Sequence, residues 1–137
     1  MNNKIYRQAD SRWGNLPYPI KRYSFAGNGC GCCACLHVLI ELEKYKNWTT
    51  KDLRPYMVQQ GFATYGNGTT WNGITKTLQH YGFNVINHPT MDDLWNTLEK
   101  RKHKIGVLLI INHSFFKPFS KSSPSLVTLN IFLLRFL

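Results

Sequence analysis

All four cysteines of the chain fall within six positions, Cys30, Cys32, Cys33 and Cys35, at the head of a stretch that carries no charge from position 32 to 40. A disulfide scaffold ties distant segments together, and such close spacing cannot do that. The fold must therefore rest on a hydrophobic core, and the thiols are expected to be reduced, as in an intracellular setting. A chain of 137 residues with 43% apolar residues can build one such core. The cysteine segment itself belongs there. It predicts a helix from about Gly31 to Tyr45, apolar nearly all round and so buried in the middle of a domain, with charge returning at Glu41, Glu43 and Lys44.

Around this helix the pattern predicts a turn-rich entry up to Asn28, marked by Gly14-Asn15, Pro17, Pro19 and Gly27-Asn28-Gly29. Thr50 caps a second helix over Lys51 to Gln60 that Gly61 ends, with Pro55 as a weak point inside it. Thr70 opens a third from Trp71 to Tyr81, closed by Gly82, with Ile74 and Leu78 at helical spacing. Phe83 to Ile86 fits a short strand. Thr90 with Asp93 resembles a capping box for a helix to about Lys102 that buries Leu94, Trp95 and Leu98. Ile105 to Ile111 reads as a core strand. Helices followed by strand give an α+β class.

Seventeen Lys and Arg against seven Asp and Glu give a formal charge of +10. A basic surface attracts anionic partners. The basic residues are scattered among acids, however, until Glu99, the last acid in the chain. That pattern reads as a solvated face, and no specific nucleic-acid partner is expected. No window reaches the ~18 uninterrupted apolar residues of a membrane span, and no apolar leader follows Met1, so a soluble, cytoplasmic chain is expected.

The chemistry concentrates at Asn28-Gly29-Cys30-Gly31. A thiol at the N-terminus of a buried helix feels its partial positive charge and free N–H groups. Both favour the thiolate, the attacking species. Flanking glycines would let a substrate carbonyl approach the sulfur, and the Cys30 N–H could form part of an oxyanion hole. Cys32, Cys33 and Cys35 continue into the helix as packing.

Gln8-Ala9-Asp10-Ser11-Arg12-Trp13-Gly14, then Gly29-Cys30-Gly31 opening an apolar helix, then Thr70-Trp71-Asn72-Gly73-Ile74 and Tyr81-Gly82, resemble the bacteriocin-processing-like, double-glycine-leader-type cysteine peptidases. These are papain-like enzymes of bacteria and their phages. The resemblance covers residues 5 to 110 and implies a papain-like fold: an N-terminal helical half and the start of an antiparallel sheet, incomplete at its end. It implies Cys30 as nucleophile and Gln8 as an oxyanion-hole donor. The family's Pro-Thr or Pro-Ala after Gly-Cys-Gly is replaced by Cys32-Cys33. The implied substrate is a peptide or the peptide of peptidoglycan. No cofactor and no metal is expected, and no oligomeric state is assigned.

The family's general base stands in a Gly-His-aromatic element reached through a loop. Here Ile105 to Ile111 runs straight into Asn112-His113-Ser114-Phe115-Phe116, so His113 is the stand-in base, and with no Asp beyond Asp93 only an Asn such as Asn130 could orient it. A thiolate lacking a positioned imidazole forgoes the ~10²–10⁴-fold of general acid–base catalysis, so an inactive chain is one expectation. Residues 1–112 then form the peptidase-like domain and 113–137 an atypical basic and apolar tail. The loss of acids and turn chemistry from Ser114 onward predicts a tail foreign to the fold, through truncation or a shifted frame, which resequencing the downstream gene would test. The other histidines have plainer readings: His37 a satisfied core residue, His80 and His88 surface or loop, His103 in a charged helix end. Two alternatives to the hydrolase stand beside it. One is a non-catalytic binding domain for peptide, cell wall or nucleic acid. The other is a zinc site on the cysteine cluster, disfavoured because four ligands on one helix diverge.

Overall fold

The computed structural model describes residues 5–41, 43–87, 90, 92, 95 and 96, and the backbone course of 105–111 and 129–136. The chain divides into two compact units, Met1–Phe83 and Asn84–Leu137.

In the first unit the entry segment is pinned by its own polar groups. The Trp13 indole is buried and donates to the Arg7 carbonyl at 2.7 Å. Asp10 accepts from the Arg12 backbone N–H at 2.9 Å and pairs with the Arg12 guanidinium at 2.8 Å. The Gly27–Gly29 segment, expected as a turn, is instead the end of a short helix, α1 (Phe25–Asn28). Ser24 caps it, accepting from Gly27, while Phe25 is fully buried against Tyr18, ring centroids 5.3 Å apart. Anchoring and capping together outweigh the weak helix propensity of Gly27.

The cysteine helix α2 spans Cys30–Leu39, with Gly29 as its N-cap. It starts one residue earlier than expected and stops six short of Tyr45. Beyond it a 3-10 turn, Glu43–Tyr45, delivers the buried Tyr45 ring to Trp48 at 4.7 Å and Tyr81 at 5.4 Å. The helix therefore ends where the uncharged stretch ends, and the tyrosine joins an aromatic cluster outside it.

Helix α3 (Thr50–Gln59) carries a capping box built on Thr49 and Asp52, so the cap lies one residue ahead of the expected Thr50, which is itself buried. Pro55 does not divide it. Leu53 and Met57, both fully buried on either side, hold the helix across the one ladder bond that proline forfeits. Gly61, at φ 72°, closes it as expected, with Phe62 N–H donating to Met57 O at 2.9 Å and Gly61 N–H to Val58 O at 3.1 Å, the paired bonds of a Schellman motif. Helix α4 (Trp71–His80) opens on Thr70, whose hydroxyl accepts from Gly73 N–H at 2.9 Å, and ends at Gly82. Its buried face is Ile74, Thr77 and Leu78. Helix α2 packs against both α3 and α4, and the core of the unit is Tyr18, Phe25, Leu36, Leu39, Leu53, Met57, Ile74 and Leu78.

The second unit holds a three-stranded sheet in the order β1 (Phe83–Asn87), β3 (Leu129–Phe136), β2 (Ile105–Ile111). Strands β2 and β3 are antiparallel, in a register from Ile105 opposite Arg135 to Ile111 opposite Leu129. The sequence placed 129–136 in a tail outside the fold; it runs instead as the middle strand, where an apolar stretch is at home. Asp92, Trp95 and Asn96 have helical backbone, but Trp95 is 58% exposed rather than buried. Leu94, Leu98, Asp93 and Lys102 lie outside the described residues. The chain thus mixes helix and strand, with helices dominating the first unit and strands the second.

Candidate functional site

Cys30 is the first residue of α2, where an α-helix leaves its leading N–H groups without intrahelical acceptors. It is exposed, whereas Cys32, Cys33 and Cys35 are buried. Burial, with a smaller contribution from Cys30, pushes the Cys33 thiol up to about 12. Burial likewise raises the thiols of Cys32 and Cys35, each with a smaller contribution from neighbouring cysteines. Three of the four sulfurs are thereby held as neutral packing groups, and only Cys30 meets solvent.

The glycines beside Cys30 prove to be packing positions. Both are buried. A Cβ on Gly29 would lie 2.6 Å from the Phe25 ring, and one on Gly31 would lie 2.6 Å from the Thr69 side chain. Their conservation of space serves close approach of protein to protein, not the approach of a substrate carbonyl that the sequence led us to expect. Thr69 is in turn fixed by the buried Tyr18 hydroxyl, 2.6 Å from its Oγ1, and Tyr18 also reaches the Met57 sulfur at 3.8 Å. Burial pushes the Tyr18 phenol well up, so it stays protonated.

Two of the sequence elements, and the loop that precedes the third, meet at this helix end. The Gln8 side-chain amide donates to Ala26 O at 2.7 Å, and Ala26 N–H donates to Gly14 O at 2.9 Å. Ala26 lies four residues before Cys30, so the Gln8–Gly14 element clasps the turn that leads into Cys30. From the other side comes the loop ahead of α4, in which Thr64 N–H donates to Gly68 O at 2.8 Å and Ala63 bridges Thr69. A Cβ on Gly68, at φ 75°, would stand 3.3 Å from the Asn28 carbonyl. The same loop brings the exposed Tyr65 edge-on to Tyr23, centroids 6.1 Å apart. Gly73 is required because a Cβ there would lie 2.5 Å from that of Phe62.

Gln8 therefore stands close to the helix end, but its amide is engaged with a backbone carbonyl rather than presented as a free donor. The base expected at His113 lies outside the described residues, as do His88 and His103; Asn130 is a β3 backbone position. His37 sits seven residues along α2 from Cys30, about 10 Å up the axis at 1.5 Å per residue. Its Nε2 accepts the Tyr6 N–H at 3.0 Å, so the ring is satisfied as expected, though it is half-buried rather than in the core. His80 stacks on Tyr56 with centroids 4.5 Å apart, at the last residue of α4. Neither is placed to serve Cys30.

Sequence reasoning missed the Tyr18–Thr69 buttress and the cluster of Tyr45, Trp48, Tyr56, His80 and Tyr81. Both unite residues from separate segments, and periodicity within one segment carries no trace of such meetings. A cleft of about 340 Å³ lined by Ile5, Tyr6, Arg12, Asn47 and Thr49 includes neither Cys30 nor Gln8. Among the described residues no group of three or more His, Cys, Asp or Glu could hold a metal ion, and no helix is long and apolar enough to cross a membrane. Compared with known proteins, the chain matches no family model, no curated protein and no solved structure.

Proposed function

We propose that the chain is a papain-like, cysteine-type hydrolase of amide bonds, with Cys30 as nucleophile and a peptide or the peptide of peptidoglycan as substrate. One observation carries this reading: of four thiols on one stretch, the single exposed one occupies the first position of a ten-residue helix. There the helix dipole and the leading N–H groups can stabilise the oxyanion that forms when the sulfur attacks a carbonyl. The Cys30 sulfur attacks the substrate carbonyl, and the oxyanion forms near the Cys30 N–H. The amine then leaves with a proton, giving a thioester that water hydrolyses. His113 is the residue proposed to supply that proton, with Asn130 to orient it. Gln8, whose amide donates one hydrogen to the Ala26 carbonyl, is the proposed second oxyanion donor through its other amide hydrogen.

A second reading, a non-catalytic peptide- or cell-wall-binding domain, is favoured by a different observation. Both described histidines are engaged away from Cys30, at Tyr6 and at Tyr56. Incubating the chain with Gly-Gly-containing peptides and with peptidoglycan peptides, followed by mass spectrometry, separates the two. The hydrolase reading expects cleaved product and an acyl adduct on the Cys30 peptide, both abolished in Cys30→Ala. Binding without product or adduct favours the recognition domain.

A further inference from the structure

We propose that Cys30 and Cys33 are a redox pair, closing into a reversible disulfide within α2 when the chain meets a small disulfide oxidant such as oxidised glutathione. This is a property of the two thiols and stands whether or not Cys30 also cleaves amides.

The geometry selects one pair out of six. Cys30 is exposed at the first position of α2, and Cys33 is buried at the fourth. Residues three apart on a helix share a face, with Cβ atoms about 5–6 Å apart. Cys32 and Cys35 lie about 200° and 140° around the axis from Cys30, at 100° per residue. The pair Cys32 and Cys35 has the same spacing, but both are fully buried, so an oxidant in solution reaches neither. A disulfide needs Cβ atoms about 3.5–4.5 Å apart, so the first turn must tighten by about 1–2 Å. The first turn is where a helix can give most easily, because the N–H of its first residue is outside the ladder. The Cys33 N–H is anchored, donating to Gly29 O at 3.0 Å, so the movement falls on Cys30. The two sulfurs already sense each other: a charge on Cys30 is the second cause, after burial, that raises the Cys33 thiol.

The chemistry is two exchanges. The Cys30 thiolate attacks one sulfur of oxidised glutathione; the glutathione S–S bond breaks, a Cys30–glutathione bond forms, and a glutathione thiolate leaves and takes up a proton. Cys33 then gives its proton to solvent and its sulfur attacks the Cys30 sulfur. The Cys30–glutathione bond breaks and a second glutathione leaves. Two protein thiols are oxidised and one disulfide is reduced to two glutathiones. The exposed thiol is the entry point and the buried one the resolving group.

Differential alkylation tests this on the wild-type chain. After exposure to oxidised glutathione, free thiols are blocked with N-ethylmaleimide under denaturing conditions, the protein is reduced, and the released thiols are labelled with iodoacetamide and located by fragmentation. We expect the second label on Cys30 and Cys33 together, and the first on Cys32 and Cys35. In Cys33→Ser, resolution is lost and glutathione should accumulate on Cys30 about tenfold above wild type; in Cys30→Ser neither glutathione nor disulfide should appear. A wild-type chain that keeps glutathione on Cys30 as stably as Cys33→Ser, or one that links another pair, overturns the proposal. The wild-type map decides it even if a variant does not fold.

Discussion

At the scale of single residues, the neighbourhood of Cys30 is decided by space more than by charge. Gly31 faces Thr69, and Thr69 holds the buried Tyr18 hydroxyl, so a methyl added at 31 must displace a side chain that is itself hydrogen-bonded. Gly31→Ala is therefore expected to destabilise the chain by about 1–3 kcal/mol, the usual effect of overpacking. Gly27→Ala is the control, since a Cβ there meets nothing nearer than the Ser24 hydroxyl at 3.7 Å. It should be neutral or stabilising by up to about 1 kcal/mol. Urea denaturation of both variants checks the pair, and equal losses would contradict the packing described. Cys30 was legible in the sequence because glycines and a charge-free run single it out. The reason for those glycines was not, because Phe25 and Thr69 reach them from outside the motif.

At the scale of elements, legibility followed the strength of local signals. Helix α4 starts at Trp71 as expected and ends one residue short of the expected Tyr81, since its Thr70 cap and the glycine at φ 98° beyond it are both written into the local sequence. Helix α2 was over-extended because an apolar run says that a segment is buried but not where it bends, and Tyr45 belongs to an aromatic cluster contributed by other segments. Strand β3 was missed for the same reason: its partner, β2, lies about twenty residues earlier in the chain. The thiols of α2 give the element its own pH dependence. Cys32, Cys33 and Cys35 have folded values raised by burial, Cys33 to about 12, above the ordinary 9.0 of an unfolded thiol. The unfolded chain thus loses protons first as pH rises. The stability is complete below about pH 9 and is lost above it, at roughly 1.4 kcal/mol per pH unit for each thiol. Thermal unfolding should show a flat Tm from about pH 6 to 8 and a steep fall between about pH 9 and 10.5. A Tm unchanged across the upper interval would mean that these thiols are not held protonated in the fold.

At the scale of the whole molecule, the chain presents a helical unit whose core helix carries one solvent-facing thiol at its start, and a separate unit containing an antiparallel strand pair. The mixed helix and strand class was legible in the order of periodic segments; the packing boundary after Phe83 was not, because the composition changes later than the packing does. The account stands on Cys30 being chemically distinct from its three neighbours, and iodoacetamide alkylation, with the modified cysteine located by mass spectrometry, tests that most directly. The account predicts rapid iodoacetamide labelling of Cys30 alone in the folded chain, while Cys32, Cys33 and Cys35, being buried, react with it only on unfolding. Labelling of Cys30 no faster than the three buried cysteines would contradict it and leave Cys30 a structural residue.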